Sequence, residues 1–318
     1  MISVVVPMYN VEVYIPEFID CIKCQTFKEI YWIFVDDGST DNTYNILLNK
    51  LDVSDFDFEY KVLKKLNGGL SDARNFGLKY VETELVAFLD PDDFISYNYF
   101  EKLISIINDG CDIAFSPIIE WWEDSGETKQ QVFTDTKMVG SYYLNYSSTP
   151  SWSACNKLFK TSLFNDFKFD NGIFFEDLAL IPALILRANL IGFSSEVSYT
   201  YRRRRDSILT TKNISRELDI FNALNLLDEK FGENSQLSNF FRIRVLVFTT
   251  IPCLIKKYGY KDTLDIRIRI RNEMRKIKFS EIINLKQFSL IMKIYAFFYK
   301  VIPPFVELFA PYLHSIRR

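Results

Sequence analysis

The chain has 318 residues, of which 48% are hydrophobic and 25% are charged, a composition typical of a folded protein with one large domain and an appendage. Its formal net charge of −3 argues against a general nucleic-acid-binding protein. The single histidine, His314, excludes serine–histidine–aspartate triads, histidine-rich zinc sites and histidine general bases, so carboxylates must carry any acid–base chemistry. The odd number of cysteines, five, predicts reduced thiols and a cytoplasmic location.

Apolar runs alternate with helical patterns through the first part of the chain. The pattern predicts strands at 2–6, 30–35, 58–63 and 85–89. A helix is expected from about Pro16, because proline is well placed in a first helical turn. Since runs such as VVV and VAFL are apolar throughout, the sequence predicts an α/β fold with a mostly parallel, Rossmann-like sheet and helices on both faces.

Polar residues gather where each predicted strand ends. In a parallel sheet, ligands bind beyond the carboxyl ends of the strands, so we expect these residues to line one site. Turn formation or helix capping is the alternative explanation for each cluster taken alone. The clusters are Tyr9-Asn10, Asp36-Asp37-Gly38-Ser39, Asn67-Gly68-Gly69 and Asp90-Pro91-Asp92-Asp93.

The stretch FLDPDDF, residues 88–94, places three acids in one turn. Capping a helix uses one acid, and like charges this close repel by roughly 1 kcal/mol or more per pair unless a cation neutralises them. Oxygen ligands without histidine or thiolate favour Mg²⁺ or Mn²⁺. The turn therefore indicates a divalent cation, an ion that commonly accompanies a diphosphate.

Four motifs, in this order and spacing, resemble the amino-terminal half of family 2 glycosyltransferases of GT-A fold. They are SVVVPMYN, VDDGSTDNT, NGGLSDARNFGL and FLDPDDF. The resemblance weakens after residue 120, returns at SACNKLFKTSLF and FFEDLAL, and ends near YRRRRDSIL. It implies a GT-A catalytic domain over 1–213, with a nucleotide-binding half at 1–95 and an acceptor half at 96–213, followed by a helical region at 214–318.

The resemblance also implies roles for residues of the polar clusters. Asp90 would meet the ribose, and Asp92 would bind the Mn²⁺ or Mg²⁺ that bridges the two phosphates of a nucleotide-sugar. Asp93 would cap a helix or orient its neighbours. Asn10 and Asn67 are assigned to the same nucleotide site. Four residues would surround the base: Pro7, Tyr9, Asp36 and Arg74.

Glu176 and Asp177 open a strongly apolar predicted helix. Acids in a first helical turn complement the helix dipole, which is the alternative explanation. By the resemblance, Asp177 removes the proton of the acceptor hydroxyl while the new bond forms on the face opposite the leaving group, so the anomeric configuration inverts. Glu176 would bind the acceptor or orient Asp177.

The stretch YTYRRRRDSILTT, residues 199–211, is locally basic. A run of arginines is often a solvated face or an edge strand, and alternation along a strand would aim only two of the four at the site. By the resemblance, Arg202, Arg204 and Ser207 approach the diphosphate.

Two further positions, Asn156 and Lys157, are expected to border the acceptor cleft. The tryptophans of the second half either stack on sugar faces or pack in the interior. They are Trp121, Trp122 and Trp152.

The last third of the chain has helical periodicity, with helices expected at 214–231 and 237–258. The segment 284–318 mixes Phe, Tyr and Leu with Lys293, Lys300, Arg317 and Arg318. Its apolar runs are broken well short of the ~18 residues that a membrane span requires. It could lie in a membrane interface. The alternatives are packing against the catalytic domain or a second subunit.

Together these features predict a metal-dependent, inverting glycosyltransferase that moves a sugar, a UDP-hexose donor being favoured, to a saccharide in bacterial surface polysaccharide synthesis. A lipid-linked acceptor and peripheral contact with the inner face of the cell membrane are part of this hypothesis, and no nucleic-acid partner is expected. Two alternatives stay open at this stage. One is a nucleotidyltransferase on a similar sheet, and the other is a catalytically silent nucleotide-sugar binding module.

Overall fold

The structure, a computed structural model, describes residues 1–53, 57–131, 133–147, 150–204, 212–232 and 234–310. The chain divides into two compact units. The first comprises Met1–Ser141 and Ser151–Thr211, and the second comprises Tyr142–Pro150 and Lys212–Arg318. The catalytic domain predicted over 1–213 stays a prediction. By its contacts, the segment 142–150 belongs to the second unit.

The strands of the first unit form two sheets. They are β1 (Ile2–Met8), β2 (Ile30–Asp36), β3 (Glu59–Lys64), β4 (Leu85–Phe88), β5 (Phe94–Ile95), β6 (Ile113–Phe115), β7 (Ile118–Trp122), β8 (Thr128–Gln130), β9 (Thr136–Met138), β10 (Lys157–Lys160), β11 (Ile191–Phe193) and β12 (Tyr199–Arg203). The larger sheet has the order β3-β2-β1-β4-β10-β6-β11-β9, and the smaller has the order β5-β12-β7-β8. In the larger sheet β1 to β4 are parallel, whereas β10 runs antiparallel to both of its neighbours. The predicted mostly parallel sheet and its first four strands are confirmed.

The helices of the first unit follow the strands as expected. They are α1 (Ile15–Lys23), α2 (Thr43–Val53), α3 (Leu70–Leu78), α4 (Tyr99–Asn108), α5 (Gly140–Tyr146), which continues into the second unit, and α6 (Glu176–Arg187). Pro16 lies in the first turn of α1. Gly77 lets α3 approach β1 closely, since a Cβ atom there would lie 2.4 Å from a methyl carbon of Val5.

The order of the strands places the polar clusters side by side. The chain moves outward from β1 to β2 and β3, then returns to place β4 on the other side of β1. Met8 pairs with Asp36, and Asp36 pairs with Lys64, so the first three strands end at one level. A reversal of this kind opens a crevice beyond the carboxyl ends of the strands, where ligands bind in α/β proteins.

The second unit is helical, as predicted. Its helices are α7 (Ile214–Glu217), α8 (Asp219–Phe231), α9 (Ser235–Arg242), α10 (Ile251–Tyr258), α11 (Leu264–Lys276), α12 (Phe279–Asn284), α13 (Leu290–Val301) and α14 (Pro303–Phe309). A π-helical segment, Ile243–Thr250, joins α9 to α10. The predicted helix over 214–231 is divided at Leu218, and the predicted helix over 237–258 begins at Ser235.

Within the described residues, one helical stretch, Ser235–Tyr258, is long and apolar enough to cross a membrane. A helix in the core of a globular unit can have the same composition. In the most apolar 18 residues of this stretch, 67% are buried inside the structure, as in such a core helix.

A buried ionic cluster fixes α14 within the second unit. Glu307 is fully buried and accepts hydrogen bonds from Arg267, from Arg271 and from the hydroxyl of Tyr299, 3.1 Å away. Arg267 is itself only 1% exposed. Because a buried carboxylate without its cations is costly, this cluster determines which side of α14 faces inward.

Candidate active site

Asp37 organises the turn that follows β3. Its carboxylate is 2% exposed and accepts hydrogen bonds from the backbone N–H groups of Gly68 (3.0 Å) and Gly69 (2.8 Å) and from Lys65 Nζ (2.5 Å). Its backbone carbonyl accepts a hydrogen bond from Asn67 Nδ2 at 3.0 Å. No role was predicted for Asp37 from the sequence. The acid after β2 and the Asn-Gly-Gly turn after β3 are the sequence features that could have indicated this contact.

Asp36 is fully buried and carries an acceptor atom without a donor. Its Oδ1 accepts a hydrogen bond from the backbone N–H of Ser39 at 3.2 Å. Its Oδ2 has no hydrogen-bond partner among the described residues, and Lys64 Nζ lies 3.9 Å away. Buried polar atoms are rarely left unpaired, so this oxygen suits a ligand that supplies an N–H or O–H donor.

The other residues assigned to the nucleotide base occupy the same end of the sheet. Pro7 is buried in β1, and Tyr9 is 48% exposed. Asn10 has a left-handed backbone (φ 52°), and its Oδ1 accepts a hydrogen bond from the N–H of Thr40 at 2.8 Å. Asn10 and Asn67 thus hold neighbouring turns in place, and the predicted contacts of these four residues with a nucleotide stay predictions.

The acidic turn holds two carboxylates that repel each other. Asp90 Oδ1 lies 3.3 Å from Arg74 Nη2, and Asp90 Oδ2 accepts a hydrogen bond from Cys155 Sγ at 3.2 Å. Asp92 Oδ2 lies 2.8 Å from Arg204 Nη2. Burial, and then the charge of Asp90, raises the pKa of Asp92, whereas Arg204 lowers it. The turn therefore carries negative charge that a further cation would stabilise.

Asp93 faces the interior and caps no helix, because the N-cap of α4 is Asn98. Asp93 accepts hydrogen bonds from the hydroxyl of Tyr199 and from the backbone N–H of Arg202, the latter at 2.8 Å. Burial, followed by the charges of Asp92 and Asp90, raises the pKa of Asp93 well above its usual range. The predicted role of Asp93 as a helix cap is wrong. Asp93 instead links the acidic turn to β12 through these two hydrogen bonds.

Glu176 and Asp177 begin α6, as predicted. Phe175, just before them, has φ 66°, a conformation that residues other than glycine adopt rarely and often near active sites. Asp177 Oδ2 accepts a hydrogen bond from the backbone N–H of Ala154 at 2.9 Å. Burial, and then the charge of Asp177, raises the pKa of Glu176 to about 7. Burial also raises the pKa of Asp177, although Arg74 opposes the shift.

Arg74 joins the two acidic groups. This side chain is 1% exposed, and its Nη1 donates to Glu176 (3.0 Å) and Asp177 (2.9 Å) while its Nη2 faces Asp90. The ring of Phe169 lies 5.2 Å from the guanidinium carbon. Arg74 was expected to close the nucleotide pocket, and that contact stays a prediction. The structure shows a bridge between the acidic turn and the start of α6.

Asn156 and Lys157, expected at the acceptor cleft, are both fully buried. Lys157 Nζ donates to the carbonyl of Ser153 (2.5 Å), to Asn156 Oδ1 (2.7 Å) and to Ser151 Oγ (3.2 Å). Burial lowers the pKa of Lys157 to about 7. Lys157 therefore holds the segment that ends at Ala154, the residue that donates to Asp177. A direct contact with an acceptor stays a prediction.

The two predicted arginines have different surroundings. Arg202 is 6% exposed, and its guanidinium donates to Glu17, Glu123 and the carbonyl of Asp92. Arg204 instead pairs with the carboxylate of Asp92. The geometry favours Arg204 as a diphosphate ligand, and both assignments stay predictions. Ser207 lies outside the described residues.

Aromatic rings surround the Arg202 guanidinium. Its carbon lies 5.1 Å from the Tyr14 ring, 4.5 Å from Phe94 and 5.2 Å from Trp121. Trp121, in β7 beside Trp122, thus packs against this guanidinium, and stacking of either tryptophan on a sugar stays a prediction. Trp152 is partly buried.

Two carboxylates fit a divalent cation. Within the described ranges, no group of three or more Asp, Glu, His or Cys side chains is arranged to hold a metal ion. Mg²⁺ and related ions, however, commonly take one or two protein carboxylates and complete their shell with phosphate oxygens and water. Asp90 and Asp92 supply such oxygen atoms, and burial, followed by the charge of Asp90, raises the pKa of Asp92, so a cation would stabilise its ionised form.

Solved structures identify the fold. A Staphylococcus aureus TarS fragment, residues 1–349 in complex with UDP-GlcNAc, has a TM-score of 0.75 over 99% of this chain and 91% of that chain at 20% identity. A Pyrobaculum calidifontis mannosyltransferase in complex with GDP-Man and Mn²⁺ has a TM-score of 0.57 over 95% and 87% of the two chains at 14% identity. The fold is therefore the GT-A fold of glycosyltransferases, as expected.

The family follows from the sequence. The family model for "Glycosyl transferase family 2" matches residues 3–168, which is more than half of the chain. The protein belongs to glycosyl transferase family 2, and it is a glycosyltransferase. This result removes the nucleotidyltransferase alternative, and an assay of sugar transfer decides the silent-module alternative.

Curated relatives share this domain. The Streptococcus pneumoniae glycosyltransferase GlyG is 32% identical over 67% of this chain and 74% of its own length. The S. pneumoniae glycosyltransferase GlyA is 32% identical over 65% of this chain, and the Bacillus subtilis minor teichoic acid biosynthesis protein GgaB is 29% identical over 80%. The matched regions cover only 31% of GlyA and 29% of GgaB. The activities of these longer proteins therefore cannot be assigned to this chain directly.

We expect the transfer rate to depend on pH through the Glu176–Asp177 pair. Because the pKa of Glu176 is raised to about 7, the pair takes up a proton as the pH falls through this value, and a base is lost. The ratio kcat/KM should therefore fall about tenfold per pH unit below the pKa. Glu176→Gln should move this acid limb to lower pH, whereas Glu196→Gln, at an exposed ion pair with Lys102, should not. A rate that is flat from neutral to acidic pH contradicts the assignment.

We expect Lys157→Met to lower kcat by about tenfold. The carbonyl of Ser153 and the amide oxygen of Asn156 would lose their buried donor, at a cost of ~1–3 kcal/mol, and the segment that positions Asp177 would be held less firmly. KM for the donor should stay within about twofold if the residue acts only through the Ala154 segment. Since the Ala154 N–H lowers the pKa of Asp177, the acid limb of the pH profile should also move to higher pH. Lys160→Met, on the same strand but at a half-exposed ion pair with Asp112, is the control. An unchanged pH profile in Lys157→Met would assign the lysine to folding alone.

Proposed function

We propose that the protein is a metal-dependent, inverting glycosyltransferase that moves a hexose from a UDP-sugar to a hydroxyl group of a saccharide acceptor. The observation that carries this proposal is the buried Arg74 guanidinium, which contacts Asp90 of the acidic turn as well as Glu176 and Asp177 of α6. A site for a charged leaving group and a pair of carboxylates suited to base catalysis therefore adjoin each other. Sugar transfer to an alcohol requires both.

The buried acceptor on Asp36 supports a nucleotide donor. A uracil ring presents an N–H group between two carbonyl groups, and such a donor would pair with the free Oδ2 of Asp36. The TarS fragment that shares this fold is in complex with UDP-GlcNAc, which supports a UDP-sugar as the donor. The exposed ring of Tyr9 at the same end of the sheet suits stacking on the base.

The leaving group of this reaction is a diphosphate. A divalent cation held by Asp92, with Asp90 nearby, would stabilise the negative charge that develops on it. Arg204, which pairs with Asp92 in this structure, is placed to contribute its guanidinium to the same charge.

Asp177 is proposed as the general base. It removes the proton of the acceptor hydroxyl as the oxygen forms a bond to the anomeric carbon and the carbon–diphosphate oxygen bond breaks on the opposite face. Arg74 and the N–H of Ala154 hold the carboxylate in position. Attack opposite to the leaving group inverts the anomeric configuration. Glu176, hydrogen-bonded to the same guanidinium, orients the base or the acceptor.

The relatives support a role in bacterial surface polysaccharide synthesis. The name of GgaB refers to minor teichoic acid biosynthesis, and that of S. aureus TarS, 29% identical over 64% of this chain, to poly(ribitol-phosphate) β-N-acetylglucosaminyltransferase. We therefore propose a saccharide or polyol-phosphate chain, lipid-linked during synthesis, as the acceptor class, with the enzyme acting in the cytoplasm.

The first experiment measures donor binding and use. Calorimetry with UDP, with and without Mn²⁺, followed by a UDP-release assay on UDP-glucose, UDP-galactose and UDP-GlcNAc, tests donor class and metal requirement separately. The proposal expects metal-dependent UDP binding and release from at least one donor. GDP binding in preference to UDP would reject the donor assignment.

We expect Asp92→Ala to abolish the Mn²⁺-dependent part of UDP binding in calorimetry, because the carboxylate that holds the cation is lost. Asp109→Ala, which removes an exposed aspartate that pairs with Lys137, is the matched control and should bind UDP normally. Metal-dependent binding that survives in Asp92→Ala places the cation elsewhere.

We expect Asp177→Asn to leave UDP affinity within about twofold and to lower turnover by ~10²–10⁴-fold, the usual contribution of a general base. The isosteric amide keeps the side-chain size, so the comparison isolates the loss of basicity. Asp166→Asn, at an exposed ion pair with Arg187, is the control. Normal turnover in Asp177→Asn would show that another group removes the proton.

A further inference from the structure

Helix α13 is apolar on two opposite faces. Its inner face, Met292, Ala296 and Tyr299, is buried in the second unit. Its outer face carries six large apolar side chains that are between 42% and 73% exposed: Leu290, Ile291, Ile294, Phe297, Phe298 and Val301. A surface helix of a globular protein normally has a polar outer face. The outer face of α13 is therefore unlike that of an ordinary surface helix.

The exposed apolar surface continues onto the neighbouring helices. Phe279 of α12 contacts the ring of Phe297, with centroids 4.7 Å apart, and Phe305 and Phe309 of α14 contact each other at 5.2 Å. We call the whole set the outer apolar face. It comprises the six residues of α13 together with Phe279, Ile283, Ile302, Phe305, Leu308 and Phe309, all at least 40% exposed. Exposed apolar patches of this extent mark interaction surfaces.

Packing within the second unit prevents these side chains from turning inward. Glu307 of α14 is held by Arg267 and Arg271, and Tyr299 of α13 donates to the same carboxylate. Rotating either helix would pull a buried charge from its partners. The outer apolar face is thus a fixed product of the fold.

The charges around this face are mostly positive. Residues 275–310 contain two acids, Glu281 and Glu307, of which Glu307 is buried and paired. Residues 275–310 contain six basic side chains: Arg275, Lys276, Lys278, Lys286, Lys293 and Lys300. The chain as a whole has a net charge of −3, so this surface differs in sign from the rest of the protein. A second copy would meet it with the same positive charge, whereas an anionic surface would be complementary.

We propose that the outer apolar face inserts into the interfacial layer of an anionic lipid bilayer, with α13 and α14 lying in the membrane plane. α13 has 12 residues and α14 has 7, so neither is long enough to span the hydrocarbon core. Phe, Leu and Ile side chains beside lysines are the composition of helices that bind at membrane surfaces. This inference goes beyond the proposed function and does not depend on the catalytic residues.

Vesicle flotation of the full chain tests the proposal. We expect the protein to float with vesicles made from equal parts of phosphatidylcholine and phosphatidylglycerol. It should float several-fold less with phosphatidylcholine alone or at high salt, because the lysines then lose their attraction to the surface. The probe is the lipid itself, so the result is independent of any sugar donor.

A matched pair of variants isolates the surface. Ile294→Glu/Phe298→Glu places two acids one helical turn apart on the outer apolar face. The variant should lower partitioning at least about tenfold, since two side chains that would be buried in the lipid become charged. Val53→Glu/Tyr60→Glu makes the same change in charge at exposed apolar positions of the first unit and should float like the wild type. Thermal unfolding by circular dichroism checks that both variants are folded.

Three outcomes overturn the proposal, the first two of which concern the wild-type chain. One is a folded wild-type chain that stays in the soluble fraction with anionic vesicles. The second is a wild-type chain that does not float and is a dimer by light scattering, while the Ile294→Glu/Phe298→Glu variant is a monomer. This result would assign the face to contact with a second copy. Equal loss of flotation in the two double variants would likewise reject this face as the membrane surface.

Discussion

One buried guanidinium determines the arrangement of the candidate site. Arg74 contacts an acid 16 positions away in the sequence and two others 102 and 103 positions away. A buried cation is stable only when its partners are present, and removing one partner of a buried pair costs about 3–5 kcal/mol. The end of β4 and the start of α6 are therefore fixed relative to each other before any substrate binds. Such preorganisation lowers the entropic cost of bringing two substrates together.

Much of the fold and the family could be predicted because the signals are local. Apolar runs, turn residues and helix starts are encoded within a few positions, and the first four strands lie within two residues of their predicted bounds. The roles of single residues depend on distant partners. Of two adjacent acids, Asp36 keeps an unpaired oxygen while Asp37 binds a turn some thirty residues ahead. No pattern in the sequence distinguishes them, because the distinction is tertiary.

The basic run shows the same limit. Strand alternation predicted that two of its arginines share a side, but the rings of Tyr14 and Trp121 and two distant acids surround Arg202. Among the described arginines of the run, only Arg204 pairs its guanidinium with a carboxylate of the acidic turn. Lys157 was expected to border the acceptor cleft, yet it is fully buried and donates to the segment that ends at Ala154. In α13 the sequence is apolar around most of the helix. Only the Glu307 cluster decides which of the two faces is inward.

The path of the chain between the two units has a further consequence. Tyr142–Pro150 leaves the first unit, contributes to the second, and is followed by a return at Ser151. A single cut near residue 211 therefore yields neither unit whole, since the shortened product would retain a segment whose packing partners are gone. Exchange of one unit between relatives by recombination would need three crossover points, at 141/142, 150/151 and 211/212. Neither unit can therefore be exchanged or expressed as one continuous segment of the chain.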